Sequence, residues 1–164
     1  MKILPFVSGY RPDEWRLFRG RKAFAATAGN GNVGAVAIAD VTGLIEVMQP
    51  TVYCSEAMVS AGGGTITIGT SGATTAFAGT AIAAAGLTLA SMWDFFGNAA
   101  ATSGVIYQGY QTNGSTGAAF AVTANIIVTV AVAAVSDGQL DFHFLWRPLS
   151  ADGNLVLATG MTAI

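Results

Sequence analysis

The chain has 164 residues, the length of one ordinary domain, with 52% hydrophobic and only 10% charged residues and a net charge of −2. That length can bury a core without covalent staples, and the single cysteine, Cys54, excludes an intrachain disulfide framework. A monomer normally carries about a quarter charged residues. So sparse a charge content points to a surface partly covered by other subunits, because interfaces are poor in Lys, Glu and Asp.

The N-terminal stretch stands apart. Six of the seven basic residues, Lys2, Arg11, Arg16, Arg19, Arg21 and Lys22, fall within residues 1–22, which carry +4 against −6 for the remainder. The same stretch holds Phe6, Tyr10, Trp15, Leu17 and Phe18. A solvated polybasic tail needs no such anchors, whereas interface hot spots are enriched in Trp, Tyr and Arg. We therefore read residues 1–32 as a basic arm and Gly-rich linker, and favour docking on an acidic protein surface over nucleic acid. The docking candidates are Tyr10, Arg11, Trp15, Arg16, Phe18, Arg19, Arg21 and Lys22. Within "RPDEWRLFRG", Pro12 opens, Asp13 and Glu14 fill the first turn and Gly20 stops, which suits a short helix. An extended clamp fits as well.

"GNGNVG" satisfies G-x-G-x-x-G at Gly29, Gly31 and Gly34, but a strand-like "AVAIADV" follows. A dinucleotide site needs a helix there, so these glycines read as the loop joining arm to body. From residue 33 onward short runs of β character alternate with turn signals: "AVAIADV", "LIEVMQPTVYC", "TITIG", "GVIYQGY", "NIIVTVAVAAV", "QLDFHFLWRP" and "NLVLATG". Such spacing predicts an all-β sandwich or barrel over residues 33–164. The exception is "TAIAAAGLTLASMWDFF", residues 80–96, where the first half reads as helical or irregular and "LTLASMW" as extended. Residues 118–136 carry no charge and are long enough to span a membrane. Their β-branched second half and the "SDG" turn read instead as strands, and with no signal peptide visible a soluble protein without a membrane partner is expected.

In "QLDFHFLWRP" alternate side chains share a face. Leu140, Phe142, Phe144 and Trp146 line the core side, and Asp141, His143, Leu145 and Arg147 the other. Asp141, His143 and Arg147 are thus candidates for a subunit seam, with Arg147 expected to pair with Asp141 or Asp152. The same residues permit a second reading, a small hydrolase using His143 with Asp141 and either Ser71 or Cys54. Against it, "GTSGA" lacks the glycine that a nucleophile turn wants at Ala73, and Cys54 sits at strand spacing, where a thiol behaves as a small apolar group. A third reading is a carbohydrate-binding sandwich with exposed aromatics such as Tyr107, Tyr110 or Trp93. No cluster has metal-ligand spacing, no cofactor is expected, and Asn113-Gly114-Ser115 reads as a hairpin tip.

At "SDGQLDFHFLWRPLSADGNLV", residues 136–156, the chain resembles head decoration, or capsid cement, proteins of tailed bacteriophages. "DVTGLIEVMQPTVYC" looks like their early strand pair and "GGGTITIGTSGATTAFAGTAIAAAGLTLASMW" like their Gly-rich middle, so the likeness covers roughly residues 33–158. It implies a β-sandwich of jelly-roll type, a homo-oligomer, commonly a trimer, and no enzymatic activity. It also implies binding to the major capsid protein on the phage head, after assembly in the host cytoplasm. A tail, neck or fibre location is the alternative within the same class. The arm is longer and more basic than the family pattern requires.

Overall fold

The computed structural model describes residues 14–48, 51–77, 81–93, 100–101 and 119–164. The fold is all-β, two antiparallel sheets packed as a sandwich. The strands are β1 (Arg16–Ala23), β2 (Gly34–Thr42), β3 (Ile45–Met48), β4 (Thr51–Val59), β5 (Thr65–Thr70), β6 (Ile82–Ala83), β7 (Met92–Trp93), β8 (Ala100–Ala101), β9 (Ala119–Val122), β10 (Ile126–Ala131), β11 (Asp137–Pro148) and β12 (Asn154–Leu157).

The larger sheet is organised around β11. One edge of β11 carries β1, in register from Ala23↔Gln139 to Arg16↔Trp146. The other edge carries β4, from Val59↔Asp137 to Thr51↔His143, and then β3, from Val47↔Trp146 to Ile45↔Pro148. β3 and β4 therefore lie end to end along one side of β11. β9 extends the sheet beyond β3, and β7 and β8 beyond β4. The smaller sheet runs β12-β2-β10-β5-β6.

Period-two alternation places the core between the sheets. Leu140, Phe142, Phe144 and Trp146 of β11 face Val36 and Ile38 of β2, Ile66 and Ile68 of β5, and Ile126, Val128 and Val130 of β10, all buried in one cluster. Each such side chain contributes roughly 1.5–3 kcal/mol on leaving water.

β1 corrects the arm expected over residues 1–32. The chain is already part of the sheet at Arg16, and Phe18 stacks on Phe144 with ring centroids 4.3 Å apart. Over the described residues "RPDEWRLFRG" forms a strand and no helix. Its helix-start signals are outweighed by an alternation that only a sheet edge can use: Phe18, Gly20 and Lys22 point inward, and Leu17, Arg19 and Arg21 outward. The C-terminal segment fastens this strand. Thr162 exchanges both backbone hydrogen bonds with Arg21, at 2.8 and 3.0 Å. At Gly20 a Cβ would lie 2.6 Å from Leu157 and 2.7 Å from Met161, so glycine is what lets them close over β1.

In the stretch expected as part helix at 80–96, the described residues 81–93 form one 3-10 turn, Ala84–Gly86, between β6 and β7. "LTLASMW" is extended only at Met92–Trp93. A turn at Thr88–Ser91 lets Leu87 reach the core. The uncharged stretch at 118–136 supplies β9 and β10, as expected from its β-branched residues. Among the described residues no helix is long and apolar enough to cross a membrane. "GNGNVG" is the loop between β1 and β2, and Gly31 packs its Cα against the carbonyls of Ala25 and Val135.

Candidate docking face

The outward side of the larger sheet gathers most of the polar residues that the sequence singles out. Register puts Arg21 opposite Asp141, Arg19 opposite His143 and Leu17 opposite Leu145 on β1 and β11. On the other flank Tyr53 lies opposite Asp141, Thr51 opposite His143 and Glu46 opposite Arg147. Directly opposed side chains on one face sit about 5 Å apart at Cβ, close enough to pair.

They do pair. Arg21 donates from Nε and from a terminal nitrogen to the two Asp141 oxygens, at 2.6 and 2.7 Å, and Ser55 Oγ donates to the same carboxylate at 3.0 Å. The Arg21 hydrogen bond holds Asp141 below the usual carboxylate range, reinforced by Ser55 and opposed by burial. Burial pushes His143 below its ordinary value; the Arg19 charge adds to this and the Asp141 charge opposes it. Arg147 donates from Nε to Glu46, and its guanidinium lies 4.8 Å from the centre of the Trp15 ring. On the core side, at the end of β1, Arg16 lies in the same way over Trp146, at 5.1 Å. Between these pairs Leu17 and Leu145 stand 51% and 39% exposed.

The expected partners of Arg147 were Asp141 or Asp152. The register decides otherwise: Glu46 is directly opposite, Asp141 is taken by Arg21, and Asp152 accepts from Ser150 Oγ at 2.6 Å. Two of the docking candidates are turned inward and form no part of a surface. Phe18 is core, and Lys22 is buried with Nζ donating to Asn30 Oδ1 at 2.8 Å and to the Gly160 carbonyl at 3.4 Å. Burial lowers the Lys22 pKa. Trp15, Arg16, Arg19 and Arg21 belong to the strand end or its outward side; Tyr10 and Arg11 lie outside the described residues.

The groups of the hydrolase reading are not brought together. Cys54 points into the core, with Sγ against the Glu56 and Leu87 carbonyls at 3.0 and 3.3 Å, so the sheet separates it from His143. Burial pushes its thiol pKa up, away from the thiolate that nucleophilic chemistry needs. Ser71 follows β5 in the other sheet. Trp93 is only 2% exposed and cannot line a sugar groove; Tyr107 and Tyr110 lie outside the described residues. Among the described residues no group of three or more His, Cys, Asp or Glu side chains could hold a metal ion.

Leu145 was placed on this side from the sequence; Glu46, Ser55 and Leu17 complete the face and were not anticipated. Glu46 and Ser55 share the outward parity of their strands, a signal readable only once β3 and β4 are known to flank β11. Compared with models of protein families, with curated protein sequences and with solved structures, the chain gives no match.

Proposed function

We propose that this chain is a structural virion protein that binds the outer surface of a phage capsid and stabilises it, working as a homo-oligomer rather than as an enzyme. The observation that carries this reading is the outward side of the larger sheet. Four of its charged groups are locked in pairs, Arg21 on Asp141 and Arg147 on Glu46, and a leucine pair beside them is left open. A reacting site keeps a nucleophile, acid or base free to meet a substrate. A contact face does the reverse, with rigid polar pairs around an apolar centre. The low charge content and the resemblance at residues 136–156 point the same way, and the jelly-roll path belongs to this reading.

Residues 1–13, with Tyr10 and Arg11, lead into Trp15 at one end of the face. That segment and the face together offer two contact regions, for the major capsid protein and for another copy. The test is the copy number of the chain in purified particles, by quantitative mass spectrometry against the major capsid protein. Comparable numbers are the expected result. A handful of copies would move the chain to neck, tail or fibre, and its absence would overturn the particle role. Deleting residues 1–13 is expected to reduce binding to particles. This deletion is preferable to one of residues 1–22, which would remove β1.

A further inference from the structure

We infer that a second copy of this chain covers the outward side of the larger sheet, the two related by a two-fold axis that crosses β11 near Asp141. The inference stands on the face alone and does not depend on the particle role. The face carries two exposed aliphatic patches with opposite charge. At one end Leu17 and Leu145 adjoin Arg19 and His143. At the other Val59, 47% exposed, pairs in register with Asp137, and Glu56 lies one step away opposite Gln139. Met58 points into the core, which turns its neighbour Val59 outward, and both acids are exposed.

Among the described residues neither patch is neutralised by an ion pair. Among the described residues the ion pairs of this sheet are Arg21 with Asp141 and Arg147 with Glu46, and Arg19, Glu56 and Asp137 take part in neither. The six residues from His143 to Asp137 separate the patches by about 20 Å. A copy turned end for end over the same face sets its acidic patch on the basic one, aliphatic against aliphatic. The axis repeats the contact at the other end, as an isologous interface requires. At the centre the axis sets Arg21 and Asp141 each beside its own image, and both charges are already neutralised by the pair within each copy. A ring would need its two patches on different faces of the molecule. Both lie on one, which favours a two-fold pair over the trimer that the resemblance implies.

Three strands spaced about 4.8 Å apart and some eight residues long give a projected face on the order of 400 Å² per copy. That is about half the area per partner of a standard stable interface and falls among weak, transient contacts. The pair is therefore expected to be weak, with dissociation in the micromolar range.

Sedimentation of the full chain from roughly 1 to 300 μM tests this, a range that brackets such an affinity. The wild type should pass from monomer to dimer. Arg19→Glu and, independently, Glu56→Arg should each weaken the dimer at least tenfold, and the double variant R19E/E56R should regain it. A wild-type monomer throughout, a trimer, single variants that dimerise unchanged, or a double variant that stays dissociated would each overturn the proposal. None of these results bears on the copy number in particles, so the two readings fail separately.

Discussion

His143 lies two residues beyond Asp141 on the outward side of β11, with Arg19 directly across the strand pair. Burial and the Arg19 charge favour its neutral form over the charged one. An unfolded chain takes up that proton near pH 6.5. The folded chain takes it up only at a lower pH, so in the window below 6.5 the unfolded state holds more protons and stability falls as pH falls. Urea midpoints measured between pH 7.5 and 5 should therefore decline, and His143→Gln should flatten that decline. A slope unchanged by the substitution would assign it to other groups. Asp141 acts further down the scale. Its pKa is depressed by Arg21, so its stabilisation is present above the ordinary carboxylate value and is lost as pH falls through the folded one. Asp141→Asn should lower the midpoint at pH 7 and make little difference once the wild-type carboxyl is protonated.

At the scale of elements, the connection that leaves β10 for β11 in the other sheet stores strain. Val132 has φ +69°, and Ala133 N–H donates to the Ala131 carbonyl at 2.8 Å, a γ-turn with positive φ that is rare and costly, most of all for a β-branched residue. The side chain is 75% exposed, so no packing compensates. Val132→Asn keeps the backbone bond, tolerates the left-handed region and should raise stability by about 1 kcal/mol, read as a higher thermal midpoint. The turn was invisible in "TVAVAAVS", where nothing but alternating apolar residues marks position 132. β11, by contrast, was legible throughout, because four large side chains at even positions can serve only one face. β1 was misread at its start: Pro12, Asp13 and Glu14 imitate a helix entry, and the preference for a strand at 16–23 comes from β11, more than a hundred residues away. The same distance hid the face. Asp141 and His143 were identifiable as outward neighbours, but Arg21, Ser55 and Glu46 become their company only through strand order, which pattern alone does not encode.

For the whole molecule, this placement turns a charge imbalance along the chain into one across a surface. Arginines that read as a detached arm are woven into the sheet, and Phe18 and Lys22 between them close one edge of the core. The strand should therefore be indispensable to the fold. Removing a buried phenylalanine to alanine costs about 3–5 kcal/mol, while a domain of this size is stable by only about 5–15 kcal/mol in total. Phe18→Ala alone should lower the thermal midpoint sharply, because Phe144 loses its stacking partner. A chain beginning at Ala23 loses Phe18 together with the pairing of β1 along β11, and leaves Phe142 and Phe144 at an open edge. It should fail to give the dispersed amide spectrum of a packed sandwich and should aggregate. A truncated chain with a wild-type melting curve would mean that β1 is an appendage after all, as its sequence first suggested, and that the core closes without it.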